Sequence, residues 1–97
     1  METANTILQQ LGGNRFIAMT GASSFVGGDN FLMFKLPRGV ADKSNKVKIT
    51  LTAMDDYIVE TFKIGRGDCR PCSYKEGVYA DTLRPVFESI TGLRTSL

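Results

Sequence analysis

Cys69-Arg70-Pro71-Cys72 has the spacing of a dithiol redox motif, in which a thiolate stabilised at a helix N-terminus attacks a disulfide. The flanking residues do not supply that helix, because a Gly-rich stretch precedes the pair and Ser73-Tyr74-Lys75-Glu76-Gly77 follows it. Two incidental cysteines in a surface loop are the plainer expectation. A structural zinc ion takes four ligands, so only two chains together could supply a four-cysteine site, and no metal or cofactor is expected within one chain. The chain has no histidine, which removes the commonest general base and the Ser-His and Cys-His nucleophile pairs. Asp55, Asp56 and Glu60 are close enough in sequence to hold magnesium or share a proton, but Asp55-Asp56 falls where the chain must reverse, and turn chemistry accounts for it. The chain is therefore expected not to be an enzyme. Arg66-Gly67-Asp68 matches an integrin-binding tripeptide, a pattern too short to weigh in an intracellular protein.

The basic residues make a stronger case by clustering than by total. The net charge of +2 is too small to argue for nucleic acid by itself. Lys35, Arg38, Lys43, Lys46 and Lys48 nevertheless surround a single Asp42, and Lys63, Arg66, Arg70 and Lys75 outnumber Asp68 and Glu76. If Lys46, Lys48, Arg66 and Arg70 share a side, that side suits phosphate contact, with Tyr57 nearby for base stacking. A solvated strand face with edge-protecting lysines is the competing account. Phe25 and Val26 stand apart from the other apolar residues because they lie in a Gly/Ser-rich stretch, where an exposed Phe-Val tip would anchor a protein partner. Phe25, Val26 and Tyr57 are the candidate partner-binding residues.

These groups must be positioned by ordinary elements. In residues 3–11, Ala4, Ile7, Leu8 and Leu11 fall at i, i+3, i+4 and i+7, the stripe of an amphipathic helix closed by Gly12-Gly13. Residues 15–20 are too apolar for an exposed loop and read as a strand, and residues 31–36 read as a second, joined through a loop ending Gly-Gly-Asp-Asn. Residues 46–52 alternate most clearly, with Val47, Ile49 and Leu51 on one side and Lys46, Lys48, Thr50 and Thr52 on the other. Residues 57–64 return as a fourth strand, residues 65–74 read as a loop, and a second helix is expected to start around Thr82 and stop at Gly92, with Pro85 in its first turn. The predicted fold is α+β in the order α-β-β-β-β-α: a four-stranded antiparallel meander with an N-terminal and a C-terminal helix on one face. Its other face is left open for a partner, which a second copy of the chain could also cover.

At 97 residues, 42% of them hydrophobic and 23% charged, the chain has material for one globular domain and no more. No apolar stretch approaches the roughly 20 residues that span a bilayer. Met1-Glu2-Thr3-Ala4-Asn5 lacks the basic start and apolar core of a signal peptide, so the cytoplasm is the expected location and a membrane is not an expected partner.

The segment Leu11-Gly12-Gly13-Asn14-Arg15-Phe16-Ile17-Ala18-Met19-Thr20-Gly21-Ala22, together with Val78-Tyr79-Ala80-Asp81-Thr82-Leu83 and Thr91-Gly92-Leu93, resembles a family of small proteins encoded by bacteriophages, prophages and mobile elements. The resemblance spans most of the chain, and the stretch from Gly65 to Cys72 departs from it. That family has no established activity, so the resemblance implies an origin and not a mechanism. Small accessory proteins of this kind commonly bind host or phage proteins, defence complexes included, or nucleic acid. The leading expectation is a non-enzymatic accessory protein that binds a host or phage protein. The alternative is a small nucleic-acid-binding protein with a basic sheet face.

Overall fold

The computed structural model describes residues 2–37, 44–65 and 67–93. The opening stripe forms helix α1 (Glu2–Leu11), which buries Ala4, Ile7 and Leu11. The next segment departs from its pattern: a second helix, α2 (Asn14–Thr20), stands where periodicity suggests a strand. Phe16 and Thr20 are buried, and a spacing of four puts two residues on one side of a helix and of a strand alike. Ala18 distinguishes the two, since a strand would bury it with Phe16 and Thr20, and it is exposed.

The sheet follows as β1 (Ser23–Gly27), β2 (Phe31–Lys35), β3 (Lys46–Leu51), β4 (Tyr57–Gly65) and β5 (Asp68–Val78), and α3 (Leu83–Thr91) closes the chain. All five strands are antiparallel and lie side by side in sequence order. Among the described residues the architecture is therefore α+β with five strands and three helices, which corrects the expected four-stranded, two-helix arrangement.

Two of the strands lie in stretches that read as loops. β1 is Gly/Ser-rich, yet it pairs Val26 with Met33 and Gly27 with Leu32 on β2, and the Gly28 N–H donates to Phe31 O at 3.0 Å across the reversal. β5 is exposed along nearly its whole length, so it has no apolar alternation to read, and its ladder to β4 is what holds it extended.

One core joins the helices to one face of the sheet. Leu32 and Phe34 of β2, Val47 and Ile49 of β3, and Tyr57 and Val59 of β4 are buried there together with Ile7, Leu11, Phe16, Leu83 and Phe87 of the helices. At its centre the Phe16 ring meets Phe34 edge-on at 5.4 Å and Phe87 at 5.3 Å. Contacts of this geometry add about 0.5–1.5 kcal/mol each beyond the area they bury.

Two of the helices end by the same device. Thr20 Oγ1 donates to Phe16 O at 2.7 Å and accepts from the Ala22 N–H at 3.2 Å, while Gly21 at φ 72° turns the chain out. Thr91 Oγ1 donates to Phe87 O at 2.8 Å and accepts from the Leu93 N–H at 3.2 Å, with Gly92 at φ 73°. The shared pattern is Phe-x-x-x-Thr-Gly, in which glycine takes the left-handed conformation at little cost and threonine satisfies backbone groups that the helix end leaves open. Among the described residues no helix is long and apolar enough to cross a membrane.

Candidate binding face

The face of the sheet turned away from the helices is built by strand register. Lys35 lies opposite Lys46, and Lys46 opposite Phe62. One step along, Val26, Met33, Lys48, Glu60 and Tyr74 form a row across all five strands. Beyond it lie Phe31, Thr50 and Ile58. Residues paired directly across antiparallel strands point to the same side, and the alternating positions Phe34, Val47 and Thr61 are in the core. Three lysines and the rings of Phe31, Phe62 and Tyr74 therefore share one surface, with Glu60 as the acid among them. Lys48 Nζ stands 5.0 Å from the centroid of the Phe31 ring, a cation–π contact. Gly28 is what allows Phe31 its place, since a Cβ there would lie 2.2 Å from the ring.

Lys35 and Lys46 are the unusual pair. Like charges directly opposite across strands are destabilising, by a few tenths to about 1 kcal/mol. A salt bridge stands elsewhere, between Arg70 and Asp68 at 2.9 Å. The two lysines also rim a hollow of about 360 Å³, lined among the described residues by Leu36, Asn45 and Ile64 as well. Asn45 fixes its wall by bonding the Ile64 main chain twice, Nδ2 to O at 2.9 Å and Oδ1 from N at 2.8 Å.

The structure sorts the residues that sequence singles out. Lys46 and Lys48 lie on the open face as required. Arg70 does not join them: it pairs with Lys63, in the alternate phase to Phe62 and Ile64, so the pleat turns it to the opposite side, and its Nε is bound to Asp68. Arg66 lies outside the described residues, as do Arg38, Asp42 and Lys43. Val26 is on the open face and 53% exposed, next to Met33. Phe25 is not at an exposed tip; it is half-buried on β1 with its ring 5.5 Å from that of Phe34. Tyr57 is 4% exposed, and its hydroxyl donates to Gln10 Oε1 at 2.6 Å. Burial holds its phenol above the ordinary value.

Sequence reasoning passes over Phe31, Met33, Phe62 and Tyr74 as face residues. β2 reads Phe-Leu-Met-Phe, apolar in both phases, so its two sides cannot be told apart without the register.

The other chemical candidates disperse. Cys69 and Cys72 are exposed on β5, and an extended backbone sets residues three apart at about 10 Å between Cα atoms, against the 4.4–6.8 Å of a disulfide. Asp55 sits at φ 63° in the β3–β4 turn, and Asp56 accepts a hydrogen bond from the Thr52 hydroxyl. Glu60 belongs to the open-face row opposite Lys48. Among the described residues no three His, Cys, Asp or Glu side chains come together as a metal cluster.

Neither the scan of protein-family models, nor the search of curated proteins, nor that of solved structures finds a match to this chain.

Proposed function

We propose that this chain is a non-enzymatic binding module that takes single-stranded nucleic acid on its open sheet face. The observation that carries this reading is the interleaving of cations and rings by register: Lys35 and Lys46 beside Phe62, and Lys48 against Phe31. Aromatic rings on a sheet stack unpaired bases while ammonium groups meet the phosphates, and a duplex keeps its bases out of reach of such a surface.

The test is anisotropy with a labelled single strand and the matching duplex over a salt series. The single strand should bind more tightly, with log K falling against log salt at a slope near −2, about 0.7 for each of three lysine–phosphate contacts. Phe62→Ala should weaken binding by about 1–3 kcal/mol, the worth of one stacked base. A flat salt response, or equal affinity for the duplex, overturns the reading.

A protein partner, the accessory role implied by the phage resemblance, is the second reading. Val26 and Met33 favour it, forming an apolar pair at the β1 end of the row that runs on through Lys48. Phe25 and Tyr57 now bear on the core instead, so Val26 is the position that tests it. A stoichiometric protein that survives nuclease and high salt and is lost in Val26→Ser would move the function there.

A further inference from the structure

We infer that the hollow between Lys35 and Lys46 is a phosphate site, and that the group it takes is a terminal phosphomonoester. The inference rests on reading the open face as a binding surface, and it names which part of the ligand is held at this end.

Three observations carry it. Lys35 and Lys46 are forced together by the β2–β3 register, an arrangement unfavourable in the empty protein and relieved by an anion between them. Leu36, Asn45 and Ile64 also line the hollow, and among the described residues no carboxylate does. The wall is held in advance: the Leu36 N–H donates to Asn45 O at 3.0 Å, the Asn45 N–H donates to Phe62 O at 2.9 Å, and the Asn45 side chain binds Ile64. The site is therefore formed before ligand arrives, which lowers the cost of binding.

Charge selects the kind of phosphate. Two ammonium groups complement a monoester, which carries about −1.5 to −2 at neutral pH, better than a diester carrying a single negative charge. A volume of about 360 Å³ lies at the small end of the ligand-pocket range. A phosphomonoester has two sources, the phosphorylated end of a strand or a free mononucleotide, and Phe62, next to Lys46 in the row, is placed to stack the attached base in either case.

The experiment titrates the full chain with one labelled oligonucleotide in 5′-phosphate and 5′-hydroxyl forms. A parallel arm follows the thermal midpoint with adenosine monophosphate and with inorganic phosphate. The 5′-phosphate form should bind about tenfold more tightly, the size of one charge-assisted hydrogen bond. Lys35→Ala and Lys46→Ala should each erase that preference, weakening the 5′-phosphate form about tenfold more than the 5′-hydroxyl form, whose own loss is that of one lysine–phosphate contact. Both variants should melt no lower than the parent, because each relieves the repulsion. Equal binding of the two forms overturns the phosphate site and leaves the nucleic-acid reading standing. If neither oligonucleotide binds but adenosine monophosphate raises the midpoint in the parent and not in Lys46→Ala, the site stands with a free nucleotide as its ligand and the nucleic-acid reading falls. No binding and no shift overturns both.

Discussion

The Tyr57 hydroxyl reaches Gln10 Oε1 at 2.6 Å and so ties β4 to α1 across 47 positions of sequence. Its phenol is raised above the ordinary 10.0 by burial. A raised phenol in the folded state means that the unfolded chain ionises first as pH climbs. The stabilisation is thus complete below pH 10.0 and is lost as pH rises through the folded value. Urea unfolding across a pH series should show a level plateau and then an alkaline fall. Tyr57→Phe should lose about 1 kcal/mol at neutral pH, for one hydrogen bond, and should show a smaller alkaline fall. The Tyr74 phenol is raised as well, by lost solvation and by the Glu76 carboxylate, so the fall is reduced and not abolished. An unchanged alkaline profile would mean that Tyr57 is solvated. Sequence alone puts Tyr57 beside the lysines because β4 begins Tyr-Ile-Val, apolar in both phases. Lys46 and Lys48 are legible for the opposite reason, since β3 alternates without a break.

Elements with one apolar face are legible in sequence, and those held by their neighbours are not. α1, β3 and α3 each carry a repeating stripe, and their ends fall where the chain has Gly12-Gly13, Thr52 and Gly92. α2 is seven residues long, too short for its period to separate from that of a strand, and β5 is a polar strand at the edge of the sheet. The paired Phe-x-x-x-Thr-Gly endings would have marked α2 as a helix, because the same string closes α3. The two threonines should be worth similar amounts. Thr20→Val and Thr91→Val keep the side-chain shape and lose both bonds, leaving Ala22 N–H or Leu93 N–H without its partner, at about 1–3 kcal/mol each. Chemical denaturation of the two variants measures this, and a neutral result at either site would show that the hydroxyl has no part in ending that helix.

At the scale of the whole molecule, one aromatic cluster joins parts distant in sequence. Phe16 touches both Phe34 and Phe87, and Phe25 adds β1 to the group, so α2, α3 and the first two strands share a centre. Phe16→Ala should cost about 3–5 kcal/mol, a large part of the 5–15 kcal/mol typical of a domain. It should lower the urea midpoint with little change in slope, and a loss below about 1 kcal/mol would place the centre of the core elsewhere. The two outer strands of the same sheet are also its irregular ones. β1 slips register between Ser23 and Val26, and β5 slips where it passes Thr61 and Phe62, with Pro71, which has no N–H to offer, at the break. Neither edge gives a second copy a regular row of donors and acceptors on which to continue the ladder. If the open face takes nucleic acid as proposed, copies along one strand would sit as separate beads where the ladder is concerned, with no shared sheet to zip them into a filament.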